Sequence, residues 1–346
     1  MPDQSLVALH AGIVWPVRPA YGDRPGPSRK EVRGPRWTRT GPGLYVPTGT
    51  ARAPEQRIVQ AAALLPAFGA VTGWGALRWA GAAWFEGMTP DGTEYADVQL
   101  ACDYRRPWPG ILVCEEGLDP CEILVLDDVR ITDPVRSVVY LMRYARSRRD
   151  AVRAFDMAAY NDLVSRDEVG TYIDCHHAWT GIPQAREAFP HCDENAWSPT
   201  EVDMRLTWSV DAGLPRPLTN VPVFTLDGRH IGTPDLIDAK AGVVGEYDGA
   251  LHLAGAQRSR DVRREALFRD HGLEPVTMMA EDLVDTGAFV ARLHAAYGRA
   301  AHRPASERSW TVVPPGWWVE TRTVAQRRAL TQAQRRRFLA IRRTVA

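Results

Sequence analysis

Lysine is nearly missing from this chain. Lys30 and Lys240 are the only two in 346 residues, and every other basic side chain is arginine. Net charge is missing too, since 42 basic and 42 acidic side chains give a formal charge of +0. Overall charge therefore supplies no long-range attraction to a polyanion, and nucleic-acid contacts would have to come from local clusters. A disulfide framework is excluded. The 5 cysteines (Cys102, Cys114, Cys121, Cys175 and Cys192) are odd in number and form no C-x-x-C pair. Cys175-His176-His177 and His191-Cys192 lack a zinc-knuckle spacing and read as surface imidazole and buried thiol. No apolar run is long enough to span a membrane, and the first residues show no secretory pattern. A soluble cytoplasmic protein without a membrane partner is expected.

What remains is ordinary for a globular protein, with 45% hydrophobic and 24% charged residues. The length suits two or three domains. Residues 1–35 are rich in Pro, Gly and Arg and read as an arm. Residues 36–196 mix short strands with helices. Residues 197–298 form a second α/β segment. Residues 299–346 begin as a Pro- and Trp-rich strap and end in a basic, amphipathic helical stretch over 322–343.

In the first half, Ala70 to Ala80 reads as one helical segment. Ala96 to Ala101, Ile111 to Cys114 and Glu122 to Leu126 read as strands. Asp133-Pro134 starts a helix, and Ser165 with Glu168 spells a capping box.

The second segment carries the chemistry. Ser198-Pro199-Thr200-Glu201 opens a helix and is also a capping box, so Glu201 has both a capping and a ligand reading. Ile231 to Ile237 reads as one strand containing Asp235. Val243-Val244-Gly245-Glu246 reads as its neighbour, with Lys240-Ala241-Gly242 as the hairpin turn. Asp235 and Glu246 then sit side by side on adjacent strands. Carboxylates so gathered suit a hard divalent cation, Mg²⁺ or Mn²⁺, which takes oxygen ligands and can assist phosphodiester hydrolysis. Pro234-Asp235…Asp238-Ala239-Lys240 spells a nuclease motif literally, but the spacing leaves no room for a second strand, so Lys240 reads as a turn residue. Arg258 to Asp270 reads as a helix closed by Gly272, and Glu274 to Met279 as the next strand.

This set resembles the PD-(D/E)xK nuclease superfamily, in the branch similar to the very-short-patch repair endonuclease. Glu246-Tyr247-Asp248-Gly249 with His252, and Asp261 through Arg264, match its signature. Asp235 matches the first Asp, and Glu201 the acid on the first helix. The resemblance implies a restriction-endonuclease-like mixed sheet flanked by helices. It implies Asp235, Glu246 and Glu201 as metal ligands. It also implies Arg258, Arg260, Arg263 and Arg264 lying near DNA phosphates. Where the superfamily carries Lys, two positions after the second acid, this chain has Asp248. Asp248 is then an auxiliary acid, and His252 the candidate base. Residues 36–196 resemble, more diffusely, AbiEi antitoxin-like proteins. The likeness lies in the Gly43-Leu44-Tyr45-Val46-Pro47 segment, the Trp-containing helix and the Asp133-Pro134 helix start. Residues 1–35 do not read as the two helices such a wing would follow.

The expected function is Mg²⁺-dependent DNA cleavage in phage defence or DNA repair. The alternative is a catalytically inactive, DNA-binding antitoxin-like regulator on a nuclease fold. The basic C-terminal stretch, with Arg335, Arg336 and Arg337, would hold phosphate backbone or a protein partner. Oligomeric state is not legible in the sequence.

Overall fold

A computed structural model describes residues 12–23, 25–89, 92–103, 108–249, 264–340 and 342. The chain is mixed α/β, with mixed sheets flanked by helices. It divides into two compact units, Met1–Phe189 and Pro190–Ala346. Among the described residues, no helix is long and apolar enough to cross a membrane.

Unit 1 opens with a two-stranded ribbon, β1 (Trp37–Gly41) and β2 (Leu44–Pro47). After α1 (Pro54–Ala62) comes β3 (Ala70–Thr72), which runs into α2 (Gly73–Trp79). The expected single helix over 70–80 is thus a strand followed by a helix. Gly73 explains the break: at φ +59 it takes a left-handed conformation that reverses the chain between the two elements. β4 (Val98–Ala101), β5 (Ile111–Cys114), β6 (Ile123–Leu126) and β7 (Val129–Thr132) complete a five-stranded sheet in the order β5-β4-β3-β7-β6. Pairing within it is both parallel (β3/β7, β4/β5) and antiparallel (β3/β4, β6/β7).

Four helices follow, and the starts of the first three are written in side chains. Asp133 accepts from the Val135 N–H at 2.8 Å and begins α3 (Pro134–Arg143). Ser147 caps α4 (Arg148–Tyr160). Ser165 and Glu168 cap each other's backbone at α5 (Arg166–Cys175), as the capping box predicts. α6 (Ile182–Ala188) ends the unit.

Unit 2 begins with α7 (Pro199–Leu206). Its main sheet has the order β13-β12-β11-β8, formed by β8 (Leu218–Thr219), β11 (Leu236–Asp238), β12 (Val243–Asp248) and β13 (Glu274–Met279). A second, three-stranded sheet pairs β9 (Val223–Thr225) with β10 (His230–Gly232) and β14 (Trp310–Thr311). The single strand expected over 231–237 is therefore two, β10 and β11, in different sheets. Pro234 lies between them, and its missing N–H cannot continue a ladder.

The main sheet is apolar on both faces. Leu236, Val243 and Met278 pack with Met204, Trp208, Phe289 and Leu293, the last two on α8 (Gly287–Ala300). Ile237 and Val244 pack the other way, with Phe268 of the helical residues 264–270 and with Trp310. Gly245 faces the first of these cores. A Cβ there would lie 2.8 Å from the Trp208 ring, so the close approach to β12 of the π-helical turn Thr207–Asp211, which continues α7, requires glycine.

Trp310 is 5% exposed, so the strap is anchored in the core through β14. The last segment also differs from expectation. Instead of one basic helix over 322–343 there are two short ones, α9 (Val324–Arg328) and α10 (Gln332–Phe338). Each starts at its own capping box, Thr323 with Gln326 and Thr331 with Gln334, and the second box interrupts the first helix.

Candidate active site

The site is built where three segments of unit 2 meet: the start of α7, the end of β8 and the β11–β12 pair. Ser198 is extended and its hydroxyl accepts the Glu201 N–H at 3.2 Å, while Pro199 takes the first helical position. The Glu201 carboxylate turns back. Its Oε2 accepts the Trp197 N–H at 2.8 Å, and its Oε1 accepts from the Ser198 hydroxyl at 3.1 Å. Capping alone would leave this side chain at the surface, yet Glu201 is 1% exposed. A further donor reaches it from the end of β8: Asn220 Nδ2, 2.6 Å from Oε2.

Burial, followed by the negative charge of Asp235, pushes the Glu201 carboxyl up to about 8, against the pull of its hydrogen-bond donors. The two acids are therefore close enough to contest one charge. Asp235 is fixed from both ends. Its Oδ2 accepts the Tyr247 N–H at 2.8 Å, and its carbonyl accepts the Asn220 N–H at 2.9 Å.

Leu236 pairs with Gly245, Ile237 with Val244 and Asp238 with Val243. Continued by one residue, this register sets Asp235 opposite Glu246. Glu246 shares a face with Val244 by strand alternation and meets Arg264, whose Nη2 donates to Oε2 at 2.6 Å. Asp248 ends β12 and is exposed. Its charge acts on Tyr247, whose hydroxyl is raised by burial and then by Asp203, Asp248 and Glu281.

The predicted residues thus separate into groups. Glu201 and Asp235 are brought together, and Asp235 is tied to the strand that carries Glu246. Glu246 itself is engaged by Arg264. His252, Arg258, Arg260 and Arg263 lie outside the described residues. Lys240 is exposed in the β11–β12 turn, where Asp238 accepts its N–H at 2.9 Å. Arg335, Arg336 and Arg337 lie on α10, where Arg335 donates to the Arg327 carbonyl at 2.8 Å and Arg336 and Arg337 are exposed. Arg327 is fully buried and donates to the carbonyls of Thr321, Arg322 and Glu194, so it holds the fold together.

Sequence reasoning misses Asn195 and Asn220, which are 5% and 3% exposed. Their amides cross-link the segment before α7 to the end of β8. Asn195 Nδ2 donates to the Thr219 and Asn220 carbonyls, and Asn220 Nδ2 to the Asn195 carbonyl. Neither Asn stands in a periodic pattern; the one signal is Asn at the end of a short strand, where left-handed turns favour it.

Among the described residues, no group of three or more His, Cys, Asp or Glu side chains is placed to hold a metal ion. The acid pair Glu201–Asp235 is oxygen-only, and beside it the buried Asn220 Oδ1 accepts no hydrogen bond from the described residues. Carboxylate and amide oxygens are the donors that a hard cation takes, so these residues fit Mg²⁺ or Mn²⁺. Unit 1 holds a cavity of about 610 Å³ lined by Cys121, Glu122, Asp133, Glu168, Tyr172 and Cys175, among others. Three of its acids already serve the fold. Arg136 and the Tyr172 hydroxyl engage Glu122, while Asp133 and Glu168 cap helices. Comparisons with protein-family models, curated proteins and solved structures find no match to this chain.

Proposed function

We propose that unit 2 is a Mg²⁺- or Mn²⁺-dependent DNA endonuclease with a restriction-endonuclease-like core. One observation carries the reading: a glutamate 1% exposed has only neutral hydrogen-bond donors among the described residues, and burial and the charge of Asp235 push its carboxyl up. An acid strongly perturbed by burial and by a second acid is a candidate for a functional site. The order of elements supports it too, with an acid on the helix, Asp235 before one strand and Glu246 opposite it on the next.

In this reading Glu201 and Asp235 hold the cation, whose chemistry is to neutralise phosphate charge and acidify water. Glu246 and Arg264 form a charge pair beside them. Asp248, exposed at the strand end, faces the approaching substrate. His252 is the proposed base, and Arg258, Arg260 and Arg263 the proposed phosphate contacts.

The test is to incubate the purified chain with supercoiled, linear, single-stranded and mismatched DNA in Mg²⁺, Mn²⁺ or EDTA. Cutting is expected with either metal and not with EDTA. Asp235→Ala and Glu246→Ala should each lower it by about 100-fold or more, since even outer-shell losses at metal sites cost 10–100-fold. Cleavage that survives EDTA, or that persists in Asp235→Ala, overturns the reading.

A second reading is favoured by one specific contact. The 2.6 Å Arg264–Glu246 pair answers the second acid with a protein cation, as a core without catalytic metal would. On that reading the chain is a DNA-binding regulator, and the same assay would show DNA retention without cutting.

A further inference from the structure

We propose that Asn220 is a positioning residue of this site, which holds Glu201 against Asp235 and offers its Oδ1 as the third oxygen for the cation those acids share. The inference rests on the metal-dependent reading above. It starts from backbone geometry. Asn220 has φ +49, in the left-handed region, where few side chains are tolerated and Asn is one of them. That conformation points the backbone N–H at the Asp235 carbonyl, 2.9 Å away, and leaves the side chain to reach Glu201. One residue therefore ties the α7 acid and the β11 acid together.

The amide orientation follows from its neighbours. Nδ2 lies 2.8 Å from the Asn195 carbonyl and 2.6 Å from Glu201 Oε2, both acceptors. A flipped amide would set oxygen against the Asn195 carbonyl, so nitrogen belongs there. Oδ1, bonded to the same carbon, then lies in the same buried space. Among the described residues it has no hydrogen-bond partner. A buried acceptor left unanswered is costly, and native structures keep few of them without a reason. A hard cation between the two carboxylates would answer it, because amide carbonyls are regular ligands of such ions.

The test is Mn²⁺ titration of the full chain by calorimetry, with circular dichroism as the check on folding. Asn220→Gly keeps the left-handed backbone free of strain and removes both side-chain atoms. Asn220→Asp keeps an oxygen where Oδ1 stands and removes the donor to Glu201. Mn²⁺ affinity is expected to fall at least about 10-fold in the Gly variant, in line with the effect of removing supporting residues at metal sites. In the Asp variant it is expected to stay above that of the Gly variant, because the ligand oxygen is kept although the hold on Glu201 is lost. A purely structural asparagine would not show that split. Equal binding in wild type and Asn220→Gly overturns the role of Asn220 and leaves the nuclease reading standing. Should the Gly variant not fold, loss of binding in a folded Asn220→Asp overturns it instead. A wild-type chain that neither binds Mn²⁺ nor cuts DNA overturns the nuclease reading, and the Oδ1 role with it.

Discussion

Each unit buries part of a glutamate, and the two are treated in opposite ways. In unit 1, Glu116 receives the Arg143 guanidinium as a fork, at 2.9 and 2.6 Å, and the Tyr144 hydroxyl at 2.5 Å. Burial raises its carboxyl, but hydrogen bonds from Arg143 and Tyr144 and the charges of Arg143 and Arg136 outweigh that, and the net shift is downward. In unit 2, Glu201 has neutral hydrogen-bond donors and a second acid beside it, and its shift is upward, to about 8. The first arrangement is complete within the protein, since charge is met by charge. The second differs, because Glu201 itself is met by neutral donors and by a neighbouring negative charge. Among the described residues Glu116 is answered by arginine and Glu201 is not, so at Glu201 a proton, or on the proposed reading a cation, would do what arginine does at Glu116.

The largest expected effect breaks the complete arrangement. Arg143 is 2% exposed at its side chain, and Glu116 retains some solvent. Arg143→Ala leaves that carboxylate without its cation. It should cost roughly 3 kcal/mol, at the low end for breaking a buried pair, because water still reaches Glu116. Urea unfolding measures this. In the same assay Glu201→Gln should cost little at pH 8 or even stabilise. The Gln oxygen still accepts from Trp197 and Asn220, its amide donates to the Ser198 hydroxyl, and no charge is buried. If the two variants destabilise equally, the contrast between the sites is wrong.

A pH series sharpens the comparison, with an effect of comparable size spread over several pH units. The Glu201 carboxyl is higher in the folded chain, about 8, than its ordinary 4.5. The folded state holds that proton more tightly. Its contribution is complete below about pH 4.5 and is lost as pH rises through about 8. Wild type should therefore lose stability relative to Glu201→Gln across that window, on the order of a few kcal/mol, and Mg²⁺ should flatten the difference. Glu116 has the opposite sign. Its folded carboxyl is lowered, so its contribution is present above its ordinary 4.5 and is lost as pH falls through the folded value. Wild type minus Glu116→Gln should then change only on the acid side. A Glu201 difference that is flat from pH 4.5 to 8 would remove the case for a strained acid pair.

The complete features are the more legible ones in the sequence. The helix starts at Asp133, Ser165 and Ser198 are local: the side chain that caps lies within four residues of what it caps. Ile111–Cys114 and Glu274–Met279 are visible as strands because their apolar and β-branched runs state their own conformation. The β11–β12 turn is visible from Lys240-Ala241-Gly242. What escapes is set by distant partners. Of the capping box expected at Glu201 only half forms: the Ser198 hydroxyl accepts its N–H, while its carboxylate takes the Trp197 N–H instead of that of Ser198. The burial of Glu201 depends on Asn220, 19 residues away, and Asn195 and Asn220 hold each other across 25. A strand reading over 231–237 runs through Pro234, although its missing N–H is where the chain passes from one sheet to the other. The basic tail looks like one helix because arginine is neutral to such a break, and only the Thr331 capping box reveals it.

The smallest expected effect tests whether the terminal arginines divide in the same way as the acids. Arg327 is answered within the protein by three carbonyls, at 3.0 to 3.1 Å. Arg336 and Arg337 lie exposed on α10. If α10 holds DNA, the double variant Arg336→Gln/Arg337→Gln should fold normally and bind more weakly. The slope of log affinity against log salt should then fall by up to about 2, close to one for each phosphate that is no longer neutralised. Arg327→Gln should instead lower the melting temperature, because removing a buried cation leaves three carbonyls without their donor. A deletion from residue 322 would mix these effects, because it removes both kinds of arginine together. An unchanged salt slope in the double variant would assign α10 to a protein partner. A reduced slope with unchanged stability would place its two exposed arginines among the groups answered from outside the chain.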